Sequence, residues 1–178
     1  MNDELLADGH LWLRIADPSW RDPLNPAYAM RSGGRWNPPG SFPALYVNED
    51  VVTARLNLRR FIAGWPYEPE DLKDDSGPVL VAATLPRNQR VCDAHTPQGI
   101  DAVGLPTTYP LDRRGRTVPH DVCQAIGLRA RQLGLRGVRC RCAPSPDGAG
   151  RELAWFPATI RSHATERHRL AYTDWFWS

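Results

Sequence analysis

Residues 33–57 read GGRWNPPGSFPALYVNEDVVTARLN, and the pattern changes twice within them. The first part is built of glycine, proline, serine and asparagine, which break regular structure and mark a loop. ALYVN at 44–48 is a short apolar run of the length and composition of a buried strand. Asp50 then opens DVVTARLNLRRFI, residues 50–62, as a helix. Asp50 is placed to cap it, with Val52, Leu56 and the stems of Arg59 and Arg60 at helical spacing. Gly64-Trp65-Pro66 ends that helix. A loop, a strand and a helix within thirty residues place the chain among mixed folds.

Working outward gives the remaining elements. LWLRI at 11–15 reads as a strand, and 17–43 as a long loop of the kind that is often functional. Residues 65–78 are polar and read as an exposed loop. VLVAATL at 79–85 is a continuous apolar strand, and 90–93 another short one. Residues 94–119 read as irregular. His120–Leu133 is a helix on which Val122, Ile126 and Ala130 share a face, stopped by Gly134. Strands follow at 136–142 and 151–157, separated by the turn APSPDGAG. Short strands mixed with two good helices imply an α+β domain. The 178 residues suit one domain, with a core of about 11–157 and an aromatic tail over 158–178 that packs on the domain or forms a protein interface.

Composition excludes several classes. Hydrophobic residues make up 42% and charged residues 24%, an ordinary globular balance. A net charge of +2 gives no strong field for nucleic acid or an anionic membrane. The acidic first residues carry neither a leader nor an anchor pattern, so the expected location is the cytoplasm, with Cys92, Cys123, Cys140 and Cys142 reduced. Cys92 and His95 with Cys140-x-Cys142 invite a zinc reading, but the spacing is unusual and a second pair of the usual form is missing. Buried thiols are the expectation, with no metal. The arginines at 129, 131, 136, 139 and 141 lack interleaved aromatic residues and read as a solvated face rather than a nucleic-acid patch.

The chemistry-bearing candidate is Gly33-Gly34-Arg35-Trp36-Asn37. Glycines allow close backbone approach, an arginine can grip a phosphate through two parallel hydrogen bonds, and a tryptophan offers a stacking face. A tight turn whose tryptophan plugs the core is the plain alternative.

The run from this loop through Tyr46 to the following helix resembles the signature of the RES-domain family, and the resemblance spans roughly Leu11 to Pro157. It implies an ADP-ribosyltransferase-like mixed sheet with a few helices and a cleft for NAD, which is consumed as substrate. Members act as toxins that break the nicotinamide–ribose bond by phosphorolysis, hydrolysis or ADP-ribosyl transfer. They are held inactive by an Xre-type antitoxin; a homodimer stays open. The implied site is Arg14, Tyr46, Asn57 and Cys142 for catalysis. Arg14 and Arg35 would hold the phosphates, Tyr46 would stack on nicotinamide, and Gly34, Trp36 and Asn37 would complete the binding loop. The sequence departs from the family twice: Asn57 stands at the glutamate position and Cys142 at the serine position. Glu49 or Asp50 are potential substitutes for the missing acid. A catalytically degenerate binding protein is the alternative that Asn57 keeps open.

Overall fold

The computed structural model describes residues 1–145, 148–161 and 163–178. Its frame is an eight-stranded sheet: β1 (Asp3–Leu5), β2 (Leu11–Ala16), β3 (Leu45–Asn48), β4 (Val79–Thr84), β5 (Arg90–Ala94), β6 (Gly137–Arg141), β7 (Arg151–Trp155) and β8 (Thr165–Leu170). The spatial order is β1-β5-β6-β7-β3-β2-β4-β8, and among the described residues only the β5–β6 pair is parallel. Five α-helices accompany it: α1 (Ala27–Ser32), α2 (Val51–Ile62), α3 (Pro97–Ala102), α4 (His120–Gln132) and α5 (Tyr172–Phe176). The α+β reading of the sequence therefore stands.

Both faces of the sheet are covered. Trp12, Leu45, Val47, Val81, Leu153 and Trp155 form one core on a shared face. The opposite face carries two separate cores. One packs Cys123, Ile126 and Ala130 of α4 on Val138, Cys140, Ala154 and Phe156. The other packs Ala54, Leu58 and Ile62 of α2 with Leu80 and the tail residues Tyr172, Trp175 and Phe176. Burial on both faces is why β4 reads as an unbroken apolar run rather than an alternating one.

Several sequence expectations shift. Asp50 caps α2 as expected, its Oδ1 accepting from Thr53 N at 2.7 Å. The inward face of α2, however, is Thr53, Ala54, Leu58 and Ile62, while Val52 is 60% exposed. The helix is rotated because its neighbours are β2 and α5, and small residues allow closer approach than Val52 does. On α4 the same holds: Cys123, Ile126, Gly127 and Ala130 are buried and Val122 is not. Gly127 meets the carbonyl of Trp36 so closely that no side chain fits there. The loops at 17–43 and 94–119 contain α1 and α3, one turn-and-a-half helices too short to leave a periodic signal. The turn expected at 143–150 lies partly outside the described residues. The sheet also extends past both ends of the expected core, to β1 and to β8 within the tail.

Candidate active site

The site lies where the sheet parts. β2 pairs with β4 over six residue pairs but with β3 at one, Leu13↔Asn48. Beyond that pair β2 and β3 diverge, leaving the carbonyl of Tyr46 without a strand partner. Arg14 Nη1 donates to it at 3.2 Å. A cavity of about 330 Å³ occupies the parting, lined by Arg14, Ile15, Tyr46, Val47, Asn48, Asn57 and Glu152. A second hollow of about 550 Å³ adjoins it through Ile15 and Asn57, and Trp20, Phe61 and Trp65 line its apolar wall. Together they make a groove with a polar end and an aromatic end, within the size range of small-molecule sites.

Arg14 is the strongest ligand-binding feature. Its guanidinium is half-buried, lies 5.7 Å from the Trp20 ring, and its buried Nε has no hydrogen-bond partner among the described residues. Burial lowers its pKa to about 10, partly offset by the nearby charge of Asp22. A half-buried, incompletely satisfied cation beside an open cavity is suited to an anionic ligand.

Tyr46 is held by the glycine loop. Its hydroxyl donates to Asn37 Oδ1 at 2.7 Å and accepts from Trp36 N at 2.9 Å. Burial pushes the phenol well above its ordinary pKa, so it stays protonated. Gly34 is required here because a Cβ would run into the Tyr46 hydroxyl and ring. Asn37 is fully buried and donates to the carbonyls of Ala29 and Phe42, at 2.7 and 3.3 Å.

The rest of the loop is turned into the protein. Trp36 is 1% exposed and its indole N–H donates to Cys140 Sγ at 3.2 Å. Arg35 donates to the Val118 carbonyl at 3.2 Å and reaches Cys123 Sγ at 4.0 Å. In this structure Gly34, Arg35, Trp36 and Asn37 form the support behind Tyr46, and none of the four lines the cavity. The plain reading of the motif, a turn with its tryptophan in the core, describes their packing.

Arg14, Tyr46 and Asn57 are brought together, and Glu152 joins them although the sequence did not single it out. Asn57 Nδ2 donates to Asn48 Oδ1 at 2.7 Å and to Glu152 Oε1 at 2.5 Å. Cys142 is fully buried and lies near the same carboxylate. Burial, then the charge of Glu152, raises the Cys142 pKa far above the thiol range, which leaves it a poor nucleophile. The available signal for Glu152 was an acid inside the otherwise apolar strand RELAW. Glu49 and Asp50 do not line this cavity: Glu49 pairs with Arg139, and Asp50 caps α2.

The cysteines and His95 do not assemble. Cys140 faces Trp36 and Cys142 faces Glu152, whereas His95 Nε2 lies 2.9 Å from Glu4 Oε1. Arg139 pairs with Glu4 at 3.0 Å and with Glu49, and Arg141 donates to the carbonyls of His95, Thr107 and Tyr109. These two arginines are structural, not part of a solvated basic face.

The chain is similar to the NAD(+) phosphorylase MbcT of Mycobacterium bovis (strain ATCC BAA-935 / AF2122/97), 31% identical over 132 residues. The match covers 73% of this chain and 64% of that protein. The same figures hold for the protein of that name from Mycobacterium tuberculosis (strain ATCC 25618 / H37Rv), so the chain spans just under two thirds of these relatives. The fold matches a chain in the crystal structure of the M. tuberculosis MbcT–MbcA toxin–antitoxin complex with a TM-score of 0.75 at 24% identity, covering 99% of this chain and 92% of that one. The sequence profile of the RES domain matches residues 11–177. The chain belongs to the RES domain family.

Proposed function

We propose that this protein is an NAD-consuming enzyme of the toxin type, which cleaves the nicotinamide–ribose bond and passes the ADP-ribosyl group to phosphate. The observation that carries this is the Arg14 guanidinium, with a buried and unpartnered Nε, at the polar end of a groove whose other end is aromatic. NAD offers the complementary features: a pyrophosphate between two flat rings. The phosphorylase activity borne by the name of the MbcT relatives supports phosphate as the acceptor.

Arg14 binds the pyrophosphate, and Tyr46, which lines the polar cavity, offers its ring to the nicotinamide. The glycosidic bond breaks with its electron pair leaving on the nicotinamide nitrogen, whose positive charge is thereby neutralised. The ribosyl carbon becomes cationic, and the groove excludes bulk water around it. Cys142 acts as a thiol that donates a hydrogen bond, as the serine hydroxyl would, and not as a nucleophile. NAD is the substrate, and the cytoplasm, where it is abundant, is the place of action.

The rim of the groove exposes Trp20 (42%), Phe61 (69%) and Trp65 (42%). An antitoxin protein that covers this rim, as MbcA accompanies MbcT, would block entry of NAD; we assign it the Xre type. Nicotinamide release from NAD by the purified protein, measured with and without inorganic phosphate and beside Arg14→Ala, tests the reading. Release that needs phosphate and Arg14 is expected. A folded protein that releases none would instead be a binding module on a RES fold.

A further inference from the structure

The proposed reaction develops positive charge on the ribosyl carbon, and such a charge needs a fixed negative group beside it. Asn57, on α2, is neutral. Among the described residues that line the polar cavity, Glu152 alone carries a carboxyl group. It enters from the opposite side, on β7, where it is paired with Asn48 of β3 and Cys140 of β6 in the sheet register.

Its surroundings orient it. The Asn57 amide donates to Oε1. Asn57 is in turn fixed by Asn48, which is buried and donates through Nδ2 to the Leu13 carbonyl at 3.1 Å. Asn57, one of the two positions at which this chain departs from the family pattern, therefore bonds directly to this carboxylate, and Cys142, the other, lies near it. Among the described residues no arginine, lysine or histidine pairs with Glu152. The neighbouring acids do not compete, since Glu49 is paired with Arg139 and Asp50 is spent on the helix cap.

We infer that Glu152 is a catalytic residue of this protein, supplying from β7 the carboxylate that accepts a ribose hydroxyl and faces the cationic ribosyl carbon, with Asn57 as its positioning residue. The inference rests on the proposed NAD cleavage. Glu152 neither gains nor loses a proton in the step. The C–N bond breaks onto nicotinamide, a phosphate oxygen forms the new bond to the same carbon, and the carboxylate stabilises the charge between these events.

The test compares wild type, Glu152→Gln and the exchange Asn57→Glu/Glu152→Asn for nicotinamide release with NAD and inorganic phosphate, alongside NAD affinity by calorimetry. For Glu152→Gln we expect kcat to fall by about 10²–10³, the usual loss for one preorganised electrostatic group, with NAD affinity within about threefold of wild type. The exchange returns a carboxylate to the same hydrogen bond from α2, and is expected to recover at least about tenfold over Glu152→Gln. Because a purely structural role would lower affinity and folding without this kcat-selective loss, thermal unfolding of each variant is recorded as well. An active wild type with a folded Glu152→Gln of undiminished kcat overturns the role of Glu152 and leaves NAD cleavage standing. If Glu152→Gln fails to fold, Glu152→Asp replaces it: a folded Glu152→Asp whose kcat falls at least about tenfold with NAD affinity kept upholds the inference, and one of undiminished kcat overturns it. A wild type that binds NAD or folds normally but releases no nicotinamide overturns both.

Discussion

The hydroxyl of Tyr46 donates to Oδ1 of Asn37 at 2.7 Å, and this one bond couples the glycine loop to the strand that forms the wall of the cleft. The loop therefore serves the site indirectly. Its asparagine is held by two backbone carbonyls, its tryptophan is anchored in the core, and Gly34 leaves the space that the tyrosine occupies.

Gly34→Ala is expected to be strongly destabilising, because the added methyl overlaps the Tyr46 ring and the loop behind it is pinned. Tyr46→Phe is the milder test. It leaves the buried Trp36 N–H and Asn37 Oδ1 without this partner, at a cost of about 1–3 kcal/mol. Urea unfolding of both variants checks the order, with Gly34→Ala the less stable.

Arg14→Lys should separate binding from folding. A lysine keeps the charge but loses the planar fork, so the KM for NAD is expected to rise about tenfold or more. Stability is expected to change by no more than about 1 kcal/mol, since the wild-type guanidinium itself has its Nε buried and unpartnered. Steady-state kinetics with thermal unfolding on the same samples reads both effects. An unchanged KM would remove Arg14 from the binding site.

The tail holds the helix that carries Asn57. Trp175 is fully buried against α2, its indole donates to the Pro78 carbonyl at 3.0 Å, and Arg55 of α2 donates twice to the Trp175 carbonyl, at 2.9 and 2.7 Å. Trp175→Ala is expected to cost about 3–5 kcal/mol, and to loosen α2 before the rest. Hydrogen exchange should show protection lost first over 51–62.

Asp93 makes stability depend on acid. Burial raises its pKa, but hydrogen bonds from the Thr96 hydroxyl and from the backbone N–H groups of Thr96 and His95, with the charge of His95, outweigh this and hold it below the ordinary value. Because the folded pKa is the lower one, the unfolded chain binds the proton more tightly. The stabilisation is thus complete above about pH 4, the ordinary aspartate pKa, and is lost as the pH falls through the folded value. Asp93→Asn should be less stable than wild type by about 1–3 kcal/mol at neutral pH, and the gap should narrow below about pH 4. Denaturant midpoints at several pH values check this; a gap independent of pH would refute it.

Much of the architecture was legible in local pattern. β2, β3, β4, α2 and α4 fall within a residue or two of where alternation, apolar runs, Asp50 and Gly134 put them, because each carries enough residues for a period to show. α1, α3 and β8 were not legible. The first two span six residues each, and β8 is TERHRL, a polar edge strand whose pairing with β4 supplies what its side chains do not.

The site divides along the same line. Residue type and spacing along the chain determined the family signature, the presence of Arg14 on an apolar strand, and the neutral Asn57 where an acid is expected. Distance along the chain says nothing about which side chains converge. Glu152 lies 95 positions from Asn57, and only the antiparallel pairing of β7 with β3 brings it to the amide. Arg35 and Trp36 sit one and two residues after Gly34, yet Val118 and Cys123 hold the first and Cys140 the second, away from the cavity. Those outcomes depend on packing between elements distant in sequence, which the tertiary structure alone decides, because a strand register sets which side chain faces which cavity.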